Sequence, residues 1–298
     1  MQRFMKFYFY IFLFSFILSD EFNDSLNELN LLEEYTNQFI NLTQNSRSLD
    51  SYILSYIRSA KYNSQEWTII CGSTPTDLID YINQIDLKYN TTISNLRKYN
   101  EINLPNGNKL DFIHMFAVMD GINNNNKDFK NSGSQLVGWG GDLAQLFQDI
   151  HTQSGSLDDL ILYARKILGI SGQFGEGDII ADLDAINLLK LRYENSDVKF
   201  GDLYKNYILN GDYNKRISTF IEKSFNLNKD SSKDEFRKTI FNDYTSNFYI
   251  KVWECKNNLR KSGLLGCYYP SDVKPEYKDH QKAACYAFAD YLFENKNN

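Results

Sequence analysis

Proline is nearly missing from this sequence, 4 in 298 residues, and alternating apolar–polar runs are almost as rare. A sandwich or barrel of short strands needs many turns, so both absences exclude it and favour long helices. Positive charge is also in short supply. The formal net charge is −6 and the basic residues form no stripe, which argues against sequence-blind binding to nucleic acid. No repeat of fixed period runs through the chain, and no apolar stretch beyond the N-terminus approaches membrane-spanning length. Several chemical fingerprints are missing as well. There is no Gly-x-Ser-x-Gly elbow, phosphate-binding loop, dinucleotide fingerprint or His-Glu-x-x-His pair, so no motif names a reaction, a metal or a cofactor.

What the chain does contain begins at its start. Arg3 and Lys6 precede an unbroken apolar run from Phe7 to Leu18, and Ser19 and acidic residues follow. A positive start, a dozen apolar residues and a small residue at the exit describe a secretory signal over residues 1–19. The run is shorter than the roughly 20 apolar residues a bilayer needs, although an uncleaved anchor is the competing reading. The expectation is a mature chain beginning near Asp20 with no stable membrane span, secreted or held in a lysosome- or vacuole-like lumen.

An oxidising compartment changes how cysteines read. Cys71, Cys255, Cys267 and Cys285 make an even count, from which two disulfides are expected with three connectivities open. Three of the four lie near the end, so at least one bridge would close inside Cys255–Cys285 and stabilise the C-terminal part. Acceptor triplets at Asn23, Asn41 and Asn90 fit a glycosylated surface.

Helical spacing recurs from end to end. Leu26, Leu29, Leu32, Tyr35 and Phe39 form one stripe, and Leu49, Tyr52, Ile53, Tyr56 and Ile57 form the next, with Ser48 or Asp50 placed to cap it. Thr76 and Asp77 open a third helix. Leu110–Ile122 is apolar nearly all round, which marks a helix buried on most faces. Further helices are read over Leu157–Leu168, Asp178–Leu191, around Phe200–Tyr207 and Ile217–Phe225, from Asp234 onward, and over Lys282–Phe293. The expected architecture is all-α. It is a single helical domain over residues 20–298, an orthogonal-type bundle around the Leu110–Ile122 helix. Aromatic residues make up 15% of the chain, so many buried hydroxyls will need partners.

Polar groups stand where this greasy centre would not want them. His114 lies on the apolar central helix, where an imidazole must find hydrogen-bond partners, serve as a base or ligate a metal. Asp120 falls about 240° further round that helix and shares no face with it. Asp142 follows Gly140 and Gly141 and precedes a helix. An N-cap explains it, but the paired glycines also let backbone amides approach a ligand, and Trp139 beside them offers a stacking face. Asp178 and Asp182 share one helical face, where like charges repel by roughly 0.2–0.5 kcal/mol. The helix N-terminus offsets this for Asp178, whereas Asp182, among isoleucines and leucines, needs an arginine, a metal or a proton. Asp184 points about 200° away from Asp182.

Cys71-Gly72-Ser73, with Gln65 six residues upstream, resembles the neighbourhood of papain-type cysteine proteases. Thr74, however, stands where the nucleophilic cysteine should be, and that reading is set aside. Two readings are left. One is a hydrolase acting on a cell-wall glycan or peptide polymer through His114 and one or more of Asp142, Asp178 and Asp182. In it, Trp139, Gly140 and Gly141 contact the substrate. The other is a non-enzymatic secreted helical module, structural or binding an extracellular polymer or small ligand, its acids serving as caps and solvated faces. Convergence of His114, Asp142 and Asp182 on one place separates the two.

Overall fold

The computed structural model describes residues 2–64, 68, 71–105, 107–125, 143, 146, 150, 152–170, 176–210, 213–245 and 278–297, the backbone alone for residues 2–20, 125, 169, 170 and 176–178. It is mostly helical, as composition and periodicity require. Helix α1 runs Gln2–Thr43, and from Phe22 onward it carries the first apolar stripe into the core. Helix α2, Leu49–Arg58, is capped by Ser48, whose hydroxyl accepts the backbone N–H of Ser51. Helix α3, Thr76–Tyr89, leads through a 3-10 turn at Ile93–Arg97 to a short antiparallel hairpin, β1 (Glu101–Asn103) and β2 (Lys109–Asp111). Each strand has three residues with one buried side chain, Ile102 opposite Leu110, so no alternation was long enough to announce it.

Helix α4, Phe112–Asn125, follows β2 directly, and Asp111 closes its first turn by accepting the backbone N–H of His114 at 3.2 Å. Then come α5 (Leu157–Ile170), α6 (Glu176–Glu194), α7 (Phe200–Leu209), a 3-10 turn at Tyr213–Lys215, α8 (Arg216–Phe225), α9 (Lys233–Asp243) and α10 (Lys278–Glu294). Ser232 and Glu235 form a reciprocal capping box at the start of α9.

Two groups of buried side chains result. The first surrounds α4, with α1, α2, α3, the hairpin, α7 and one side of α6. As its pattern demanded, α4 is buried on most faces: Phe112, Met115, Phe116, Ala117, Met119 and Ile122 are fully enclosed. The second joins α5, α8, α9 and α10 to the other side of α6. Ala181, Ala185, Leu188 and Leu189 of α6 belong to the first group, Ile179 and Leu183 to the second, and Ile186 touches both. Helix α1 meets α7 at Gly201, where a Cβ would stand 2.5 Å from the Asn30 side chain and 2.8 Å from the Leu26 carbonyl oxygen. Backbone cannot yield as a side-chain tip can, so only glycine fits there.

The expected disulfides are overturned. Cys71 and Cys285 are both free and buried, and burial pushes each thiol well above its ordinary pKa. Cys71 instead points its Sγ at the Ala117 carbonyl of α4, and no bridged cysteine is found among the described residues. Cys255 and Cys267 lie outside the described residues. What stabilises the C-terminal part here is apolar packing of α10 on α5 and α9, together with an ionic cluster at Asp290. Among the described residues no helix is long and apolar enough to cross a membrane.

Candidate functional site

The chain folds His114 and Asp182 together across 68 positions. His114 is on the first turn of α4 and Asp182 on the second turn of α6, and the packing of those helices sets imidazole Nε2 3.1 Å from carboxylate Oδ1. On the other side of the ring the Tyr62 hydroxyl lies 3.2 Å from Nδ1, and its ring meets the imidazole edge-on. With Asp182 ionised and the ring neutral, Nε2–H donates to the carboxylate and Nδ1 accepts from the Tyr62 hydroxyl. Asp182 is buried, while the His114 side chain keeps 17% of its surface. The buried carboxylate thus takes an imidazole as its partner.

Asp120, one turn and a half along α4, serves something else. Its Oδ2 accepts Nε of Arg58 at 2.7 Å, both side chains fully enclosed. The same guanidinium donates through Nη1 to the Tyr62 carbonyl and through Nη2 to the Gly72 carbonyl at 3.2 Å. Gly72 holds φ +84°, a left-handed turn that favours glycine. Burial raises Asp120 to about 7, even though Arg58 pulls the other way.

On α6, Asp184 faces away from Asp182, as their angular separation requires, and receives a hydrogen bond from the Tyr207 hydroxyl. Arg216 Nε stands 3.7 Å from the same oxygen, Asp184 Oδ1, and its guanidinium lies 4.0 Å from the Tyr213 ring centroid. Burial lifts Asp184 to about 7, with Arg216 and the Tyr207 bond opposing. Arg192 near the end of α6 binds Glu33 of α1 at 3.0 Å and Asp50 of α2 at 2.9 Å, and the free Glu33 oxygen accepts the Phe200 N–H that opens α7. These contacts fix α6, and so Asp182, against three other helices.

Of the residues singled out from sequence, the structure therefore unites His114 and Asp182. Asp178 lies on the first turn of α6, with its side chain outside the described residues. Trp139, Gly140, Gly141 and Asp142 also lie outside them. Two residues escaped sequence reasoning altogether. Tyr62 follows the end of α2 in a segment without periodicity, and Arg58 occupies the last position of an otherwise apolar stripe, where a solvated terminus is the simplest expectation. Among the described residues no group of three or more His, Cys, Asp or Glu is arranged to hold a metal ion.

Neither curated proteins nor solved structures yield a match to this chain. The model of a family described as "YkzU uncharacterised protein" matches residues 114–298, more than half of the chain and a stretch that opens on His114, and the chain belongs to that family.

Proposed function

We propose that this protein is an exported hydrolase whose acid–base group is His114, oriented by Asp182. The observation that carries the reading is the ordered set of contacts Asp182–His114–Tyr62. With Asp182 holding Nε2–H, Nδ1 is the basic atom. It takes a proton from the Tyr62 hydroxyl as that oxygen takes one from a water, whose hydroxide bonds to the acyl carbon, and it returns the proton to the leaving oxygen or nitrogen as the scissile bond breaks. A single His–Asp pair suits activated-water or acyl hydrolysis better than the two-carboxylate cleavage of a glycoside, so a peptide or ester bond in an extracellular polymer is the favoured substrate. Residues 1–19 supply the export signal and residues 20–298 the folded unit. Asn41 and Asn90 are exposed and open to glycosylation, whereas the hydroxyl of Ser25 in the Asn23 triplet is buried on the Phe22 carbonyl.

The test is turnover of a panel of activated esters, peptides and cell-wall glycans by the purified chain. Changing His114→Asn or Asp182→Asn separately is expected to lower it by about 10²-fold or more. Equal turnover in both variants and the parent removes the proposal. A non-enzymatic binding module is favoured by one observation, that both imidazole nitrogens already find partners inside the fold. That second reading survives if no substrate is turned over while a polymer or small ligand still binds.

A further inference from the structure

We propose that Tyr62 is the third member of this site and that Arg58, fixed by Asp120, is the residue that positions it. What the proton is used for rests on the hydrolase reading; where the phenol is held rests on contacts alone.

Tyr62 stands past the end of α2, just after the turn at residues 59–61 into which the helix passes. Its backbone is tied to Arg58 twice, once through that residue's backbone and once through its side chain. The Tyr62 N–H donates to the Arg58 carbonyl at 3.0 Å, and the Tyr62 carbonyl accepts from Arg58 Nη1. The rest of the guanidinium is equally committed, Nη2 to the Gly72 carbonyl and Nε to Asp120 on α4. Because the fork is planar and rigid, fixing one edge on Asp120 fixes the direction of the others. Asp120 and His114 belong to the same helix, so Arg58 references the Tyr62 segment to the very element that carries the imidazole. A buried Arg–Asp pair adds little stability over an apolar pair of the same size. What this one adds is geometry, holding a phenol within reach of Nδ1 from a segment past the end of its helix.

Lysine at position 58 keeps the charge for Asp120 but cannot serve Asp120 and two carbonyls in fixed directions. The experiment is ¹⁵N-histidine NMR of the full chain, with His114 assigned through His114→Asn, alongside turnover of the same samples. In the parent protein, Nδ1 should carry the upfield displacement of a hydrogen-bonded acceptor, and Tyr62→Phe should lose it. Arg58→Lys should lose it equally, and the double variant should show no further change, because the second substitution removes a contact already gone. Asp120→Asn, which keeps shape and volume, should weaken the signature in the same direction and serves if the lysine variant does not fold. Turnover should fall through kcat with KM little altered in Arg58→Lys. An Nδ1 resonance unmoved by Tyr62→Phe overturns the proposal. So does one that moves with Tyr62→Phe but stays at the parent value in the folded Arg58 or Asp120 variant. Should turnover survive His114→Asn while the NMR pattern holds, the hydrolase reading fails and the positioning by Arg58 stands.

Discussion

The two cores answer buried charge in opposite ways. Around α4, Asp120 is paired with one guanidinium that is itself fully enclosed. At the C-terminal end, Asp290 of α10 is just as buried, but it meets Arg237 through two bonds of 2.7 and 2.8 Å, Lys233 at 3.1 Å and Arg165 at 3.7 Å, all of them partly in solvent. Burial would raise the Asp290 carboxyl, yet Arg237 and Lys233 outweigh it and hold it below the usual aspartate range. For Asp120 burial wins. One deeply buried partner does not repay the desolvation of an ion, whereas several cations that keep part of their hydration do.

The largest expected effect comes from cutting the enclosed pair. Arg58→Ala orphans Asp120 and two carbonyls and should cost about 3–5 kcal/mol in urea unfolding. Asp290→Ala frees cations that can rehydrate, and should cost roughly 1.5–3 kcal/mol. Equal costs, or the reverse order, would break the comparison.

Acidity sharpens it next. Asp120 and Asp184 have folded pKa values of about 7, above the roughly 3.9 of an unfolded aspartate, so the folded state binds their protons more tightly. The stability they contribute is complete below about pH 4 and declines as pH rises toward 7. Asp290 has the opposite sign: its contribution is present above about pH 4 and is lost as pH falls through its depressed folded value. Asp184→Asn should therefore flatten the decline of urea midpoints between pH 4 and 7, and Asp290→Asn should flatten the drop below pH 4. An unchanged profile in Asp184→Asn would count against the opposing signs.

The smallest expected effect is at the rim. Arg165, which reaches Asp290 at 3.7 Å and also binds Glu294, is 35% exposed, and Arg165→Ala should change stability by less than about 1 kcal/mol. A larger loss would mean that the third cation, and not the Arg237 fork, holds Asp290.

Much of the fold could be read from spacing because helices advertise themselves every third or fourth residue. The nearly all-apolar stretch at Leu110–Ile122 announced a central helix, and Ser48 or Asp50 announced the start of α2. The hairpin was silent, since two strands of three residues carry too little period. In the site, His114 and Asp182 were legible as polar intrusions on apolar helices. Their pairing was not, because it depends on how α4 and α6 cross. Tyr62 and Arg58 left no local trace, and one partner of each lies more than fifty positions away. The disulfide expectation failed for a different reason. An even count in an assumed oxidising lumen says nothing about distance, and Cys71 is committed to the α4 wall.

The family match opens inside α4, at a residue whose phenolic partner and whose anchoring arginine both come earlier in the chain. Here the preceding helices cover part of the surface that holds Phe116 and Met119, while Phe200 of α7 lies against Phe116. Cut off at position 113, this polypeptide would present that greasy surface to water, with its imidazole stripped of half its contacts. A fragment restricted to the matched portion is thus destined to clump, and work on this chain should keep its first hundred residues.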